Sequence, residues 1–474
     1  MKFTPPRLLS TIILFVVPVI VGIAINMDMA KPRSYTNLEL LPILTGVFFI
    51  ILQLANRKIS ISFPMICVLG LFYIRNVLAP LALYMGNYRS YFSMVTKDSI
   101  DSSIMLLLSE TIILTLYSIH LSKKIDNQRL NMPQGLLPIS KKRNRRYANF
   151  LFFMLFLSAI LIILNPNFLG DYVSIFSSQN SREMQIGTNA TGPLYTIFTV
   201  IFPITYLSLS LYVISFYAPK KQHYVVPIIV SIGIPFLFMN NSDAFTLITV
   251  FCLGLTALKF KTIPKRMFIS MGAIAMLLIT IYMFSNVANA SFQSDQKTVG
   301  EKVSEIMQGY FPGVSNASGI FTMNEHDKWH TLFFDLYVAI PFRQTLFGIQ
   351  GDDRLVTLFT DDNDASSQVI PCSAQLYYYF GIFGLLLECL FVKFAFSTYK
   401  KAERENNVYV YYARILLFMY LIMTPTVYNT TLFLVRFFVT LMPMLLIYEA
   451  LQGKKLSVPQ QRKLANMNIN YPSK

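Results

Sequence analysis

Apolar residues in this chain come in long blocks, and the blocks are cut apart by short polar or charged pieces. Each block runs about 17–25 residues, enough for a helix to cross a hydrocarbon core roughly 30 Å thick. Strand-like alternation is absent, and in lipid the backbone must satisfy its own polar groups, so the blocks predict helices. Twelve spans follow from the pattern, at residues 8–25, 38–55, 60–85, 100–120, 147–165, 193–217, 224–240, 244–260, 267–287, 371–396, 408–425 and 430–450. The predicted fold class is all-α, a polytopic membrane protein with one large outer-face loop containing short helices. The chain divides into spans 1–9 (residues 1–287), the loop (288–370), and spans 10–12 with a basic tail (371–474).

Composition supports the reading. Of 474 residues 54% are hydrophobic and 14% charged, against about 25% charged in a soluble domain. The net charge of +16 does not call for a nucleic-acid partner, because Lys and Arg collect in cytoplasmic loops of membrane proteins and fix their orientation. Most of the 40 basic residues fall in pieces on one side: Lys2 and Arg7, Arg57 and Lys58, the loop with Lys141 to Arg146, Lys220 and Lys221, the run to Arg266, Lys400 to Arg404, and the tail. Both termini are therefore expected in the cytoplasm. Cys67, Cys252, Cys372 and Cys389 form neither a metal spacing nor a disulfide framework.

Long loops on a rigid scaffold are where function concentrates. The loop 288–370 holds the single tryptophan, Trp329, and its acidic residues outnumber its basic ones. Residues 297–311 predict an amphipathic surface helix, the Tyr310–Asn316 stretch a turn, and residues 325–347 a second helix on which His326 and His330 share a face. That pair lacks a third ligand and an intervening glutamate, so no metal site is expected. The run Asp361-Asp362-Asn363-Asp364 reads as a solvated loop.

Ionisable residues inside spans are expensive and therefore candidates for function. Arg75 and Arg436 lie toward the outer ends of their spans. Each would grip an anion with a fixed fork of donors, or else pair with an intramembrane carboxylate such as Glu110 and hold helices together. Arg414 and Glu449 lie near cytoplasmic ends, where long side chains reach for water. Glu388 stays open to either reading.

Three segments carry a family likeness. Tyr310-Phe311-Pro312-Gly313-Val314-Ser315-Asn316 is similar to a loop element of bacterial O-antigen and capsular polysaccharide polymerases of the Wzy type. Phe347-Gly348-Ile349-Gln350-Gly351 resembles the glycine turn that follows a basic helix in that family. Ala374 to Gly384, with three tyrosines before Gly-x-x-Gly, resembles its re-entry into the membrane. The related ligases place a histidine shortly before that turn; here the chain reads Val369-Ile370-Pro371, so their base does not carry over.

The resemblance implies a glycosyltransferase whose donor and acceptor are polyprenyl-diphosphate-linked oligosaccharides, acting at the outer face of the bacterial cytoplasmic membrane, with a partner protein that sets chain length. No cofactor or metal is called for, since arginines can neutralise a departing diphosphate. The expected diphosphate ligands are Arg75, Arg343, Arg354, Arg436 and Lys328. His330 is the expected base, with Asp335 or Glu325 as replacements, and Trp329, Tyr377 and Tyr378 are expected to stack on sugar rings. The competing classes are a lipid-linked oligosaccharide flippase or other transporter, and a ligase-like glycosyltransferase.

Overall fold

The computed structural model describes residues 12–55, 62–89, 95–129, 141–166, 168, 193–217, 243–260, 262, 298–340, 354–363 and 369–452. Among these residues the regular structure is helical, and the chain is an all-α polytopic membrane protein. Its helices are α1 (Ile12–Asn26), α2 (Leu40–Ala55), α3 (Phe63–Met85), α4 (Lys97–Arg129), α5 (Lys141–Leu164), α6 (Pro193–Tyr217), α7 (Asp243–Lys259), α8 (Val299–Tyr310), α9 (Val314–Thr322), α10 (Lys328–Val338), α11 (Leu355–Asp362), α12 (Cys372–Phe380), α13 (Phe383–Glu403), α14 (Val408–Met423) and α15 (Thr430–Gln452). Among the described residues six are long and apolar enough to cross a membrane: α3, α15, and segments that fall within or include α2, α4, α5 and α6. The expected spans at 224–240 and 267–287 lie outside the described residues.

Among the described residues three helices contain π geometry, α1 at Ile12–Val16, α3 at Ile74–Leu78 and α15 at Phe437–Leu441. Such bulges admit an extra residue into the turn and recur at functional sites. Arg75 lies inside the bulge of α3, and Arg436 immediately precedes that of α15.

The chain forms two compact units. The first comprises residues 1–131, 271–399 and 418–436. In it Val21, Leu38, Val77, Leu83, Ile104 and Val314 share one core, while Leu106, Ala317, Phe359, Ala374, Tyr379 and Leu385 share another. The loop helices are thus part of the span packing. α9 is buried along most of its length, Val314 to Ile320, and packs on α4. Its small residues allow this: a Cβ on Gly319 would sit 2.5 Å from the Phe359 ring.

The second unit comprises residues 132–270, 400–417 and 437–474. Tyr147 stacks on Tyr409 at 3.9 Å. Its hydroxyl donates to the Tyr448 carbonyl at 3.0 Å and accepts from Asn407 Nδ2 at 2.8 Å. Asn407 Oδ1 also accepts from the Tyr409 and Val410 amides, which caps the start of α14. Arg414 is ion-paired with Glu405 at 3.1 Å and with Glu449, so these groups satisfy one another.

The tenth span, expected as one helix over 371–396, is two. Gly381 has φ +59° and ψ −144°, a region that side chains with a Cβ avoid. The chain therefore turns there, between α12 and α13. Gly384 then lies against the Leu376 backbone so closely that a Cβ would come 2.4 Å from its carbonyl oxygen. This is the physical content of the Gly-x-x-Gly spacing.

Candidate functional site

The candidate site is built on α10, and its boundary is set by a cap. Asp327 accepts from the amides of Trp329 at 3.0 Å and His330 at 3.3 Å, an N-cap that starts the helix at Lys328. The helix expected from residue 325 therefore begins later, and His326 lies before it. His326 and His330 do not share a helix face. Instead His326 Nε2 meets Asp362 at 2.7 Å, and Asn324 donates to the same carboxylate from its amide at 3.1 Å and its side chain at 2.9 Å. Burial alone would raise the Asp362 carboxyl, but these donors outweigh it and hold the group below its ordinary range. The acidic run is therefore half of a clamp that closes the start of α10 onto the end of α11.

The buried face of α10 carries Asp335, whose carboxylate is a junction. Its Oδ2 accepts from Gln375 Nε2 at 2.6 Å and from the Tyr379 hydroxyl at 2.7 Å, and its Oδ1 accepts from the Leu355 amide at 3.3 Å. Gln375 in turn donates to the Thr431 hydroxyl at 2.8 Å and accepts from the Thr430 amide at 2.8 Å and from the Thr430 hydroxyl. One acid thus ties α10, α11, α12 and α15 together. Burial pushes the Asp335 carboxyl above its ordinary range, and the donors from Tyr379, Thr431, Gln375 and Leu355 only partly offset it.

The opposite face of α10 is apolar and open. Trp329 is 71% exposed and Phe333 54%, with Leu336 and Ile340 also exposed, a spacing of four, three and four that makes one stripe. Trp329 meets Phe380 edge-on at 6.5 Å, and beyond the Gly381 turn Ile382, Phe383 and Leu386 extend the exposed apolar surface. Along the edge of the stripe lie exposed His330, whose ring contacts Phe334 at 4.9 Å, and Lys328, whose ammonium covers the Tyr378 ring at 5.4 Å.

The remaining expected residues fall in several places. Arg436 is exposed on α15, against the first turns of which α10 packs. Arg354 is half-buried at the N-cap of α11. Glu325 is exposed ahead of α10, Tyr377 is half-buried against Phe321, and Tyr378 is buried beneath Lys328. Arg343 lies outside the described residues, as do the glycines of the Phe347–Gly351 stretch.

Arg75 behaves differently from the others. It is 0% exposed, and its guanidinium makes a two-pronged pair with Glu110 at 3.0 and 2.8 Å, with a further donation to the Pro425 carbonyl at 3.1 Å. Phe72 packs under it at 5.2 Å. This is the helix-joining arrangement, with both side chains fully enclosed. The neighbouring Asn76 donates to the Thr111 hydroxyl at 2.7 Å and accepts from Arg75 Nε.

Sequence reading missed Gln375 and Tyr379, the two side chains that hold Asp335. The available signal was a glutamine in the middle of an apolar run, since such an amide needs partners wherever it is buried. No family model, curated protein or solved structure matches this chain.

Proposed function

We propose that the chain is a polysaccharide polymerase, a glycosyltransferase that joins oligosaccharide repeat units carried on polyprenyl diphosphate. The reaction is assigned to the outer face of a bacterial cytoplasmic membrane, with twelve crossings and both termini inside. The observation that carries this reading is the two-sided character of α10: an open aromatic stripe on one face, a hydrogen-bonded acid on the other, and His330 and Lys328 at the edge. An apolar stripe continuous with the exposed flank of α13 suits lipid contact. A lipid-anchored donor would then bring its diphosphate to the polar edge of the same helix.

In this mechanism the acceptor hydroxyl attacks the anomeric carbon of the donor, and the bond from that carbon to the diphosphate oxygen breaks. His330 takes the hydroxyl proton. Charge growing on the diphosphate is met by Arg436, Arg354 and Lys328, and by Arg343. Asp335 acts as a positioning residue: its donors fix the rotation of α10 and so the direction of His330. Trp329 is the exposed ring available to a sugar. Arg75, enclosed with Glu110, supports the scaffold.

The test is incubation of purified protein with lipid-linked repeat unit, read as chain length on a gel. His330→Ala is expected to slow chain growth by roughly 10²–10⁴-fold while single units persist. Polymer of normal length from that variant would remove His330 from the mechanism, and no polymer from the unaltered protein would remove the reading itself. A second reading, a proton-coupled transporter of lipid-linked sugars, draws on one observation, the buried ionisable cluster around Arg75. Its signature would be repeat units trapped on the cytoplasmic side.

A further inference from the structure

Glu388 sits on α13, seven residues past Gly381. It is 0% exposed, and neither carboxylate oxygen has a hydrogen-bond partner. Three groups act on it from the elements packed around it: Glu110 of α4, Arg75 of α3, and the Cys372 thiol at the start of α12. The thiol is a weak donor that does not reach hydrogen-bonding geometry. The single guanidinium is already taken, since both of its terminal nitrogens are bound to Glu110.

An ionised carboxylate without donors in an apolar interior is strongly disfavoured, and such a group instead takes up a proton. With Arg75 positive and Glu110 negative, a neutral Glu388 leaves the cluster with no net charge; an ionised Glu388 would set two carboxylates in competition for one guanidinium. The three helices α3, α4 and α13 also border one small pocket, lined by Phe72, Leu114, Val392, Pro425 and Thr426 about one turn from these groups.

We propose that Glu388 carries a proton in the folded protein and that Arg75, Glu110 and Glu388 form an intramembrane proton-binding site. Loss of the proton draws Arg75 from Glu110 toward Glu388, which pulls α13 against α3 and α4. This assignment is independent of the polymerase reading.

Two measurements on the full-length protein in lipid nanodiscs test it. The first is infrared spectroscopy of the carboxylic C=O stretch. The expected band of a protonated acid is present at neutral pH, absent in Glu388→Gln and retained in Glu110→Gln. No such band in the unaltered protein, or a band that survives Glu388→Gln, overturns the proposal. The second needs no variant, in case Glu388→Gln fails to fold. An apolar carbodiimide adds a protonated acid across its C=N bond, and the O-acylisourea rearranges to a stable N-acylurea, so the labelled peptide gains the mass of the whole reagent. The label is expected on Glu388 and is expected to fade as pH rises. Label on Glu110 in its place assigns the proton elsewhere and overturns the proposal.

Discussion

Asp335 and Glu388 are both acids buried in the first unit, and their surroundings are opposites. Asp335 faces an amide side chain, a phenol and a backbone N–H. Glu388 faces no donor in bonding geometry and has an ion pair beside it. Burying an acid has two solutions, to surround the charge with donors or to neutralise it with a proton. The chain uses the first where four helices must be held in register at the foot of the large loop. The proton proposed for Glu388 is the second, inside the spans, where no donor reaches the carboxylate. The two regions are also mechanically joined, because α12 supplies Asp335's partners and, past Gly381, leads directly into the helix of Glu388.

Breaking the ion pair beside Glu388 has the largest expected effect. Arg75→Ala leaves Glu110 buried without a partner, which costs about 3–5 kcal/mol, read as a lower thermal unfolding midpoint in detergent. Replacing both partners by apolar residues of similar size (Arg75→Met with Glu110→Leu) is expected to recover most of the loss. A double variant as unstable as Arg75→Ala alone would mean that the pair is not the source of the cost.

Next comes Asp335→Ala, which strands Gln375, Tyr379 and the Leu355 amide together and costs about 1–3 kcal/mol. Asp335 also gives a pH signature. Its carboxyl is raised by burial, so the folded state holds the proton more tightly than the unfolded chain, whose carboxyl lies at about 4. The corresponding stability is fully present below that value and declines as pH rises through the folded value. Asp335→Asn is expected to flatten this part of the profile of unfolding midpoint against pH. The joint between the two regions is probed by Gly381→Ala, where the positive φ costs about 1–3 kcal/mol. Because the turn leads to both acids, that variant is expected to shift the Glu388 infrared band as well as the midpoint, whereas Asp335→Ala is expected to move only the midpoint.

Much of the scaffold was legible in the sequence, because crossing a membrane is a demand on composition over some twenty residues and hydropathy reads composition. The blocks at 38–55, 60–85, 100–120, 147–165, 193–217 and 430–450 each coincide with a long apolar helix. Arg75 stood out for the cost of its charge, and Glu110 was in view as a partner. What stayed hidden depends on contacts between distant residues. α9 begins inside the Tyr310–Asn316 stretch, which reads as a turn from its proline and glycine, and its small residues let it pack into the core. His326 finds Asp362 across 36 positions, and no local spacing encodes that. The break at Gly381 could have been inferred from two glycines three apart, but a glycine alone does not say whether a helix bends or continues.

The smallest expected effect is the most informative about the comparison. Glu388→Gln exchanges a protonated acid for a neutral amide of nearly the same shape, and the site has no donor network to lose. The midpoint is therefore expected to change by less than about 1 kcal/mol equivalent, below the 1–3 kcal/mol expected where bonded partners are left stranded. Asp335→Asn makes a similarly conservative exchange at the other acid, but there both carboxylate oxygens accept hydrogen bonds, so the new NH2 group meets a donor whichever way the amide is turned. Conservative amides at two equally buried positions should thus differ in cost, with position 335 the more sensitive. Equal costs would mean that Glu388 is held by charge as Asp335 is, and the proton assigned to it would have no place.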